Sequence, residues 1–257
     1  DSRDKLHNAR PDIVLFINGI PFAVIECKTP QISVEQAVEQ NIRNQQKEYI
    51  PQLYKFAQIV MATNKNAVKY ATTGTPKKFW NVWKEQNTAF LEGALAQYVT
   101  DRTPTEQDRN LISLFSKERV MELIRYFVLF DANVKKICRY QQYFAIKEII
   151  KTIQQSDEKG NRQSGVIWHT QGSGKSYSMV FLAQKIRRKF AGSPTIVILT
   201  DRDELNKQIS DTFENCGLLG KSKARQFIAT SGEDLVQKLK GNPSFIFTLI
   251  QKFNKAN

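Results

Sequence analysis

Two groups of residues along this chain have the types and spacing to do chemistry. Asp12, followed by Glu26 and Lys28 at the end of an apolar run, forms the first. Two carboxylates can hold Mg²⁺, and a lysine two positions on can contact a scissile phosphate and its attacking water. That set suits phosphodiester hydrolysis. The second group is the run Thr170-Gln171-Gly172-Ser173-Gly174-Lys175-Ser176. Glycines let backbone N–H groups close on phosphate oxygens, and a following helix N-terminus adds partial positive charge. Lys175 can reach the β- and γ-phosphates of ATP, and Ser176 can ligate Mg²⁺.

Each group needs a scaffold. Strand formers fill 13–17 and 22–27, and Asn18-Gly19 between them is a strong hairpin signal. Alternation then puts Glu26 and Lys28 on one face and Cys27 on the other. A two-residue turn sets Asp12 opposite Ile25, whereas a three-residue loop sets it opposite Glu26. Joint binding of one metal therefore requires the longer loop or a bulge. Residues 33–46 read as a helix, with Ser33 as N-cap and Gln36 completing a capping box. A strand is expected over 56–62, loop over 63–76, and a packed piece around Trp80, Trp83, Phe90 and Leu91. The polar stretch 100–107, with Pro104, marks a domain junction.

Beyond it, Leu111, Leu114, Phe115, Val120, Leu123, Ile124 and Phe127 recur at helical spacing over 111–130. A second helix is expected over 143–153 and a charged loop over 156–164. Then come a strand at 166–168, the glycine loop, a helix over 177–190 and a strand at 195–200, which together make a βαβ unit. Another strand is expected at 245–250, close to the end of the chain, so this sheet reads as incomplete.

The chain has 257 residues, 41% hydrophobic and 25% charged, enough for one large or two modest domains. Its formal net charge of +13 favours a polyanionic partner. No apolar run reaches the roughly 18 residues of a membrane span. Cys27, Cys138 and Cys216 are odd in number and widely spaced. They read as free thiols in a reducing cytoplasm, not as a zinc site or disulfide frame.

The order Pro11-Asp12, then Glu26-Cys27-Lys28 after hydrophobic strands, resembles the PD-(D/E)xK nucleases. More narrowly, the run from Asn8 to Gly19 leading into Glu26-Cys27-Lys28 is similar to the nuclease domain of the motor (R) subunit of type I restriction enzymes. That resemblance implies a QxxxY motif on the next helix. Gln40 stands at the glutamine place with Asn44 at the tyrosine place, and a shifted match runs from Gln45 to Tyr49. Gln40 is preferred from its spacing after Lys28. Downstream, the glycine loop resembles that of superfamily 2 helicases, which often lack the first glycine of the pattern, here His169. Arg139, Gln142 and Ala145 match an R-x-x-Q-x-x-A pattern that implies adenine recognition. Thr200 and Arg202, and Thr248 ahead of Gln251-Lys252-Phe253, resemble motifs that touch the DNA backbone.

The resemblance implies an α/β protein: a PD-(D/E)xK mixed sheet over 1–100, N-terminally incomplete; a helical linker over 101–135; and a partial RecA-like parallel-sheet lobe over 136–257, C-terminally incomplete. Implied site residues are Asp12, Glu26, Lys28 and Gln40 for cleavage, with Asp12, Glu26 and Ser176 on Mg²⁺. Arg139, Gln142, Thr170, Gly172, Ser173, Gly174, Lys175 and Ser176 are implied for ATP, and Thr200, Arg202 and Thr248 for DNA. The implied function is ATP-driven translocation joined to Mg²⁺-dependent cleavage of double-stranded DNA, alongside specificity and methyltransferase subunits. The DEAD/DEAH acidic motif, the second RecA-like lobe and its arginine finger are not found, so inefficient ATP turnover is expected. Two other readings remain open: a superfamily 2 helicase with a non-catalytic N-terminal domain, and a basic DNA-binding or assembly module without activity.

Overall fold

The computed structural model describes residues 8–220 and 223–254. The chain forms two compact units, Asp1–Leu129 with Val134–Phe144, and Phe130–Asn133 with Ala145–Asn257.

The first unit is built on a four-stranded sheet in the order β1-β2-β3-β4, comprising Ile13–Ile17, Ile20–Cys27, Ile59–Thr63 and Val68–Ala71. β1 and β2 are an antiparallel hairpin. Asn18 and Gly19 both take positive φ, 49° and 80°, which matches a two-residue type I′ turn and the right-handed twist of the strands. The register then slips between Leu15 and Phe16: Ile17 faces Ile20 and Phe16 faces Pro21, but Leu15 faces Ala23. The extra residue is a β-bulge, placed beside a proline that has no N–H to give to the ladder.

β2 and β3 are parallel, so the chain must cross over between them. It does so through helix α1, Val34–Asn44, and the short helix α2, Pro51–Tyr54. Ser33 caps α1 by accepting from the Glu35 N–H at 3.3 Å. The expected capping box is not closed: the Gln36 N–H goes to the Ser33 carbonyl instead. Val34, Ala37 and Val38 of α1 pack on Val24, Val60, Ala62 and Ala71. Ile25, Met61 and Val68 form the opposite face, with Leu15, Cys27, Leu111 and Phe115 against them. With both faces covered, all five residues of β3 are buried. Each buried Val or Ile here contributes roughly 1.5–3 kcal/mol. That anchors the strand ends carrying the chemistry.

Two further expectations fail in this unit. The stretch 63–76 is not all loop, because β4 pairs antiparallel with β3. The helix over 111–130 is instead α4, Glu106–Phe115, and α5, Lys117–Tyr126, followed by strand β5, Val128–Asp131. Ser116 separates the helices in an extended conformation, φ −59° and ψ 141°. Between β4 and α4 lie Trp80 and Trp83, both buried, and helix α3, Thr88–Tyr98. The polar stretch 100–107 runs into α4 inside this unit. β5 pairs with β6, Val134–Ile137, and helix α6 follows at Tyr140–Ile153.

The second unit carries helix α7, Lys175–Lys189, and a two-stranded parallel sheet of β7, Ile196–Thr200, and β8, Phe245–Leu249. The crossover between the strands contains α8, Asp203–Asn215; α9, Ala224–Phe227; and α10, Gly232–Lys240. Helix α11, Ile250–Asn254, follows β8. Every residue of β8 is buried, and Phe213 of α8 packs edge-on against Phe245 and Phe247. The parallel unit is thus β7-α8-β8. Residues 166–168, expected as its first strand, are not a strand: Val166 is 94% and Trp168 90% exposed. No strand lies alongside them among the described residues, so neither their backbone nor their apolar side chains have a sheet to join.

Candidate active site

The bulge decides the geometry at the strand ends. With Ile13 opposite Ile25, the register carried one step further sets Asp12 opposite Glu26. The Asp12 carboxylate accepts the Cys27 N–H at 2.7 Å. Glu26 stands on β2 opposite Ala62 of β3, on the sheet face that α1 covers, and is fully buried. Lys28 shares that face, while Cys27 packs against the other.

Helix α1 delivers amides onto these charges. The Gln40 amide donates to Glu26 Oε2 at 2.7 Å and accepts from the Lys28 ammonium, bridging the two. One turn on, Asn44 Nδ2 donates to Glu26 Oε1 at 2.8 Å. Positions four apart lie on one helix face, which is why both amides meet the same carboxyl. The shifted pair does not reach it: Gln45 bonds to the Asn41 backbone and receives the Gly74 N–H, and the Tyr49 ring lies under the Arg43 guanidinium. Asn44 is the partner that sequence reasoning undervalued. Its type departs from the motif, but its position does not.

Burial pushes the Glu26 carboxyl up to about 7, and the neighbouring Asp12 charge adds to the shift. The Asn44 amide and the Lys28 ammonium oppose it. Glu26, buried beside the exposed Asp12, is disfavoured as an anion unless it keeps its proton or a cation joins the two. The donor set fits Mg²⁺, which takes one or two carboxylates and retains several waters. Among the described residues there is no cluster of three or more candidate ligands, so phosphate or water oxygens must complete any such shell.

In the second unit, Gly172 and Gly174 take positive φ, 76° and 83°, and α7 begins at Lys175. Nothing lies within 4 Å of a Cβ built at Gly172, so backbone conformation and not space calls for glycine there. Lys175 is folded back onto the loop, donating to the Thr170 carbonyl at 3.0 Å. Ser173 Oγ lies 3.4 Å from His169 Nδ1, within the loop. Thr170 is exposed and Ser176 half-buried at the loop's ends.

Arg139 and Gln142 stand in the first unit. Gln142 is buried, and its Oε1 accepts the Arg139 N–H at 2.9 Å, the reach-back of an N3 residue at the start of α6. Arg202 is exposed beside Asp201, at an open cleft of about 520 Å³ also lined by Glu204, Gln251 and Lys252. Thr200 is largely buried and Thr248 fully so, its hydroxyl turned to the Leu249 carbonyl. Among the described residues no helix is long and apolar enough to cross a membrane.

Comparison with known proteins agrees with the two-part geometry. Residues 2–79 match the family described as type I restriction enzyme R protein N terminus. Residues 141–257 match the SWI2/SNF2 ATPase family. The chain is 32% identical over 264 aligned positions to a putative type I restriction enzyme MjaIXP endonuclease subunit of Methanocaldococcus jannaschii, covering 96% of this chain and 24% of that protein. It is 34% identical to the type I restriction enzyme HindI endonuclease subunit of Haemophilus influenzae, covering 95% of this chain and 23% of that protein. A third relative, from Staphylococcus saprophyticus, is 26% identical over 99% of this chain and 25% of its own length. The chain spans about a quarter of the length of these curated relatives. With matches running from the hairpin through the glycine loop, the chain belongs to the family of type I restriction enzyme endonuclease (R) subunits.

Proposed function

We propose that this chain carries the DNA-cleaving site and part of the ATP-driven motor of a type I restriction endonuclease, with double-stranded DNA as substrate. The specificity and methyltransferase subunits of a restriction-modification complex would be its partners. The observation that carries the reading is the convergence of Asp12, Glu26, Lys28 and Gln40 at one end of β2. Asp12 and Glu26 would hold Mg²⁺, which when bound polarises the scissile phosphate. Lys28 is set to donate to a phosphate oxygen and to the attacking water. Gln40 fixes both charged groups at once, so neither must reorganise when DNA arrives. The net charge of +13 supports a backbone-gripping surface, and base recognition would lie in other subunits.

Plasmid nicking in Mg²⁺ tests the cleavage site. Lys28→Ala is expected to lower the rate by on the order of 100-fold or more, the usual scale for a positioned proton-transfer or charge-stabilising group. Nicking that survives Lys28→Ala unchanged would sink the assignment.

For the motor, the glycine loop ahead of α7 supports nucleotide binding, with Thr170, Gly172, Ser173 and Gly174 around phosphate, Lys175 on its oxygens and Ser176 on Mg²⁺. Lys175 would exchange the Thr170 carbonyl for phosphate oxygens. A charge-assisted hydrogen bond is worth roughly 1.5–3 kcal/mol, so Lys175→Ala should weaken ATP binding by roughly 10- to 100-fold in calorimetry. Equal affinity in the variant counts against a phosphate role.

A further inference from the structure

Helix α7 is held at its start by a bond that the glycine loop itself does not supply. The side chains of α7 that enter the core begin one turn in, at Val180, Phe181 and Ala183. Residues 175–178, the turn ahead of them, are exposed or half-buried. On the N-terminal side of the loop, residues 166–168 have no strand beside them among the described residues. In that turn Tyr177 carries an anchor: its hydroxyl donates to Asp131 Oδ2 at 2.5 Å, the short end for a hydroxyl on a carboxylate. Burial raises the phenol well above its ordinary range, and the bond to Asp131 adds to the shift, so the proton stays on the phenol. Asp131 leads into the tight turn between β5 and β6, within the same unit as α7. Ala132 and Asn133 both take positive φ there, 45° and 71°, which fixes the shape of the turn. The Ala132 N–H donates to the Asn215 carbonyl at 3.2 Å, at the end of α8. The first turn of α7 is thus tied through Tyr177 and Asp131 to the end of α8.

We propose that Tyr177 is a positioning residue of the nucleotide site: anchored on Asp131, it holds the first turn of α7 in the place from which Lys175 and Ser176 meet phosphate and Mg²⁺. The inference rests on the reading of the glycine loop as an ATP site. Tyr177 directly follows Lys175 and Ser176 in the chain, so a shift of its backbone moves both. The first turn of a helix also presents N–H groups with no intrahelical acceptor, and these stabilise phosphate best when they already point at it. A loop that needs positive φ at Gly172 and Gly174 does not supply that rigidity, because glycine leaves the chain its widest choice of conformations. The Lys175 side chain must leave the Thr170 carbonyl to reach phosphate, and the bond to Asp131 keeps the turn fixed while it does.

Calorimetric binding of ATP with Mg²⁺ to the full chain tests the role, in wild type, Tyr177→Phe, Asp131→Ala, Asp131→Asn, Tyr177→Phe/Asp131→Ala and Lys175→Ala. Tyr177→Phe keeps the ring and loses the anchor. Its ATP affinity should fall by about 10-fold, the lower end of what a charge-assisted hydrogen bond is worth. Asp131→Ala should match it, and the double variant should bind no more weakly than either single one. Asp131→Asn keeps an acceptor for the phenol and should bind close to wild type. Urea unfolding of each variant ensures that affinity is read on folded protein. An anchor serving the fold alone would lower the unfolding midpoint and leave the affinity where it was. Wild-type affinity in Tyr177→Phe overturns the positioning role, as does full additivity of the two changes or an Asp131→Asn as weak as Asp131→Ala. If Tyr177→Phe does not fold, the contrast between Asp131→Asn and Asp131→Ala carries the same decision. Lys175→Ala binding ATP as wild type does overturns the nucleotide site itself.

Discussion

Glu26→Gln is expected to abolish Mg²⁺-dependent nicking and, at pH 8 without divalent cation, to make the first unit more stable than wild type. Both effects come from one cause. The folded carboxyl titrates at about 7, raised by burial and by Asp12. The unfolded carboxyl titrates near 4.5. The folded state therefore holds its proton more tightly. Below the unfolded value both states are protonated, and Glu26 carries no penalty. As pH rises from about 4.5 to 7 the unfolded chain releases its proton first, and stability falls, levelling above the folded value. The gap corresponds to about 3 kcal/mol at most. Glutamine removes the charge and the pH dependence together. Part of the gain is returned, because the Gln40 amide must reorient once its acceptor is an amide. Trp80 and Trp83 are buried in the first unit, whereas Trp168 is exposed, so fluorescence-detected urea unfolding follows the right unit. Added Mg²⁺ should stabilise wild type by mass action and leave Glu26→Gln unmoved. A flat stability profile for wild type between pH 5 and 8 would contradict a buried Glu26 carboxyl beside Asp12.

How much of this site was legible beforehand follows from the range of each interaction. Asn18-Gly19 announces the hairpin locally, because few other residues accept two successive positive φ values. The bulge was legible only through chemistry: the need to bring Asp12 opposite Glu26 demanded an extra residue or a longer loop, and Pro21-Phe22 supplies the former. Gln40 could be placed by counting from Lys28, since a helix packed on two parallel strands has little freedom of phase. The burial of Tyr54 against the sheet could not, since it arises from how α2 folds over the strands, which no spacing within the helix encodes.

The misread elements share a cause. Val68–Ala71 becomes a strand only through pairing with Val60–Thr63, in the midst of polar residues that read as loop. Residues 166–168 have strand composition but no neighbouring strand among the described residues. The apolar period from Leu111 to Phe127 continues in phase across Ser116, so periodicity reports which residues face the core and is blind to the change of backbone direction there.

A larger effect on stability is expected from a pair that takes no part in the chemistry. Glu85 and Arg119 form a bidentate ion pair, 2.8 and 3.3 Å, with side chains only 2% and 8% exposed. The Arg119 guanidinium lies against the Trp83, Tyr143 and Phe144 rings, 4.4 to 5.3 Å from their centres. Through it, α5 and α6 are tied to the segment that follows the sheet. Glu85 also accepts the Trp83 indole N–H at 3.2 Å and the Asn87 N–H at 3.0 Å. Removing the carboxylate by Glu85→Ala leaves a guanidinium buried and unpaired, and the indole N–H without an acceptor. The expected loss is roughly 3–5 kcal/mol of unfolding free energy, with little screening by salt. Arg119→Leu should cost less, because the Glu85 carboxylate retains its two N–H donors and leucine fills part of the aromatic slot. The two losses should be far from additive. Glu85→Leu/Arg119→Leu has no buried charge left and should recover part of the deficit, short of wild type because the indole N–H stays unsatisfied. Denaturant unfolding of the three variants, followed at Trp83 itself, decides the point. An Arg119→Leu loss equal to or larger than that of Glu85→Ala would show that the cation stacked on the rings, and not the carboxylate with its three donors, is the centre of the cluster.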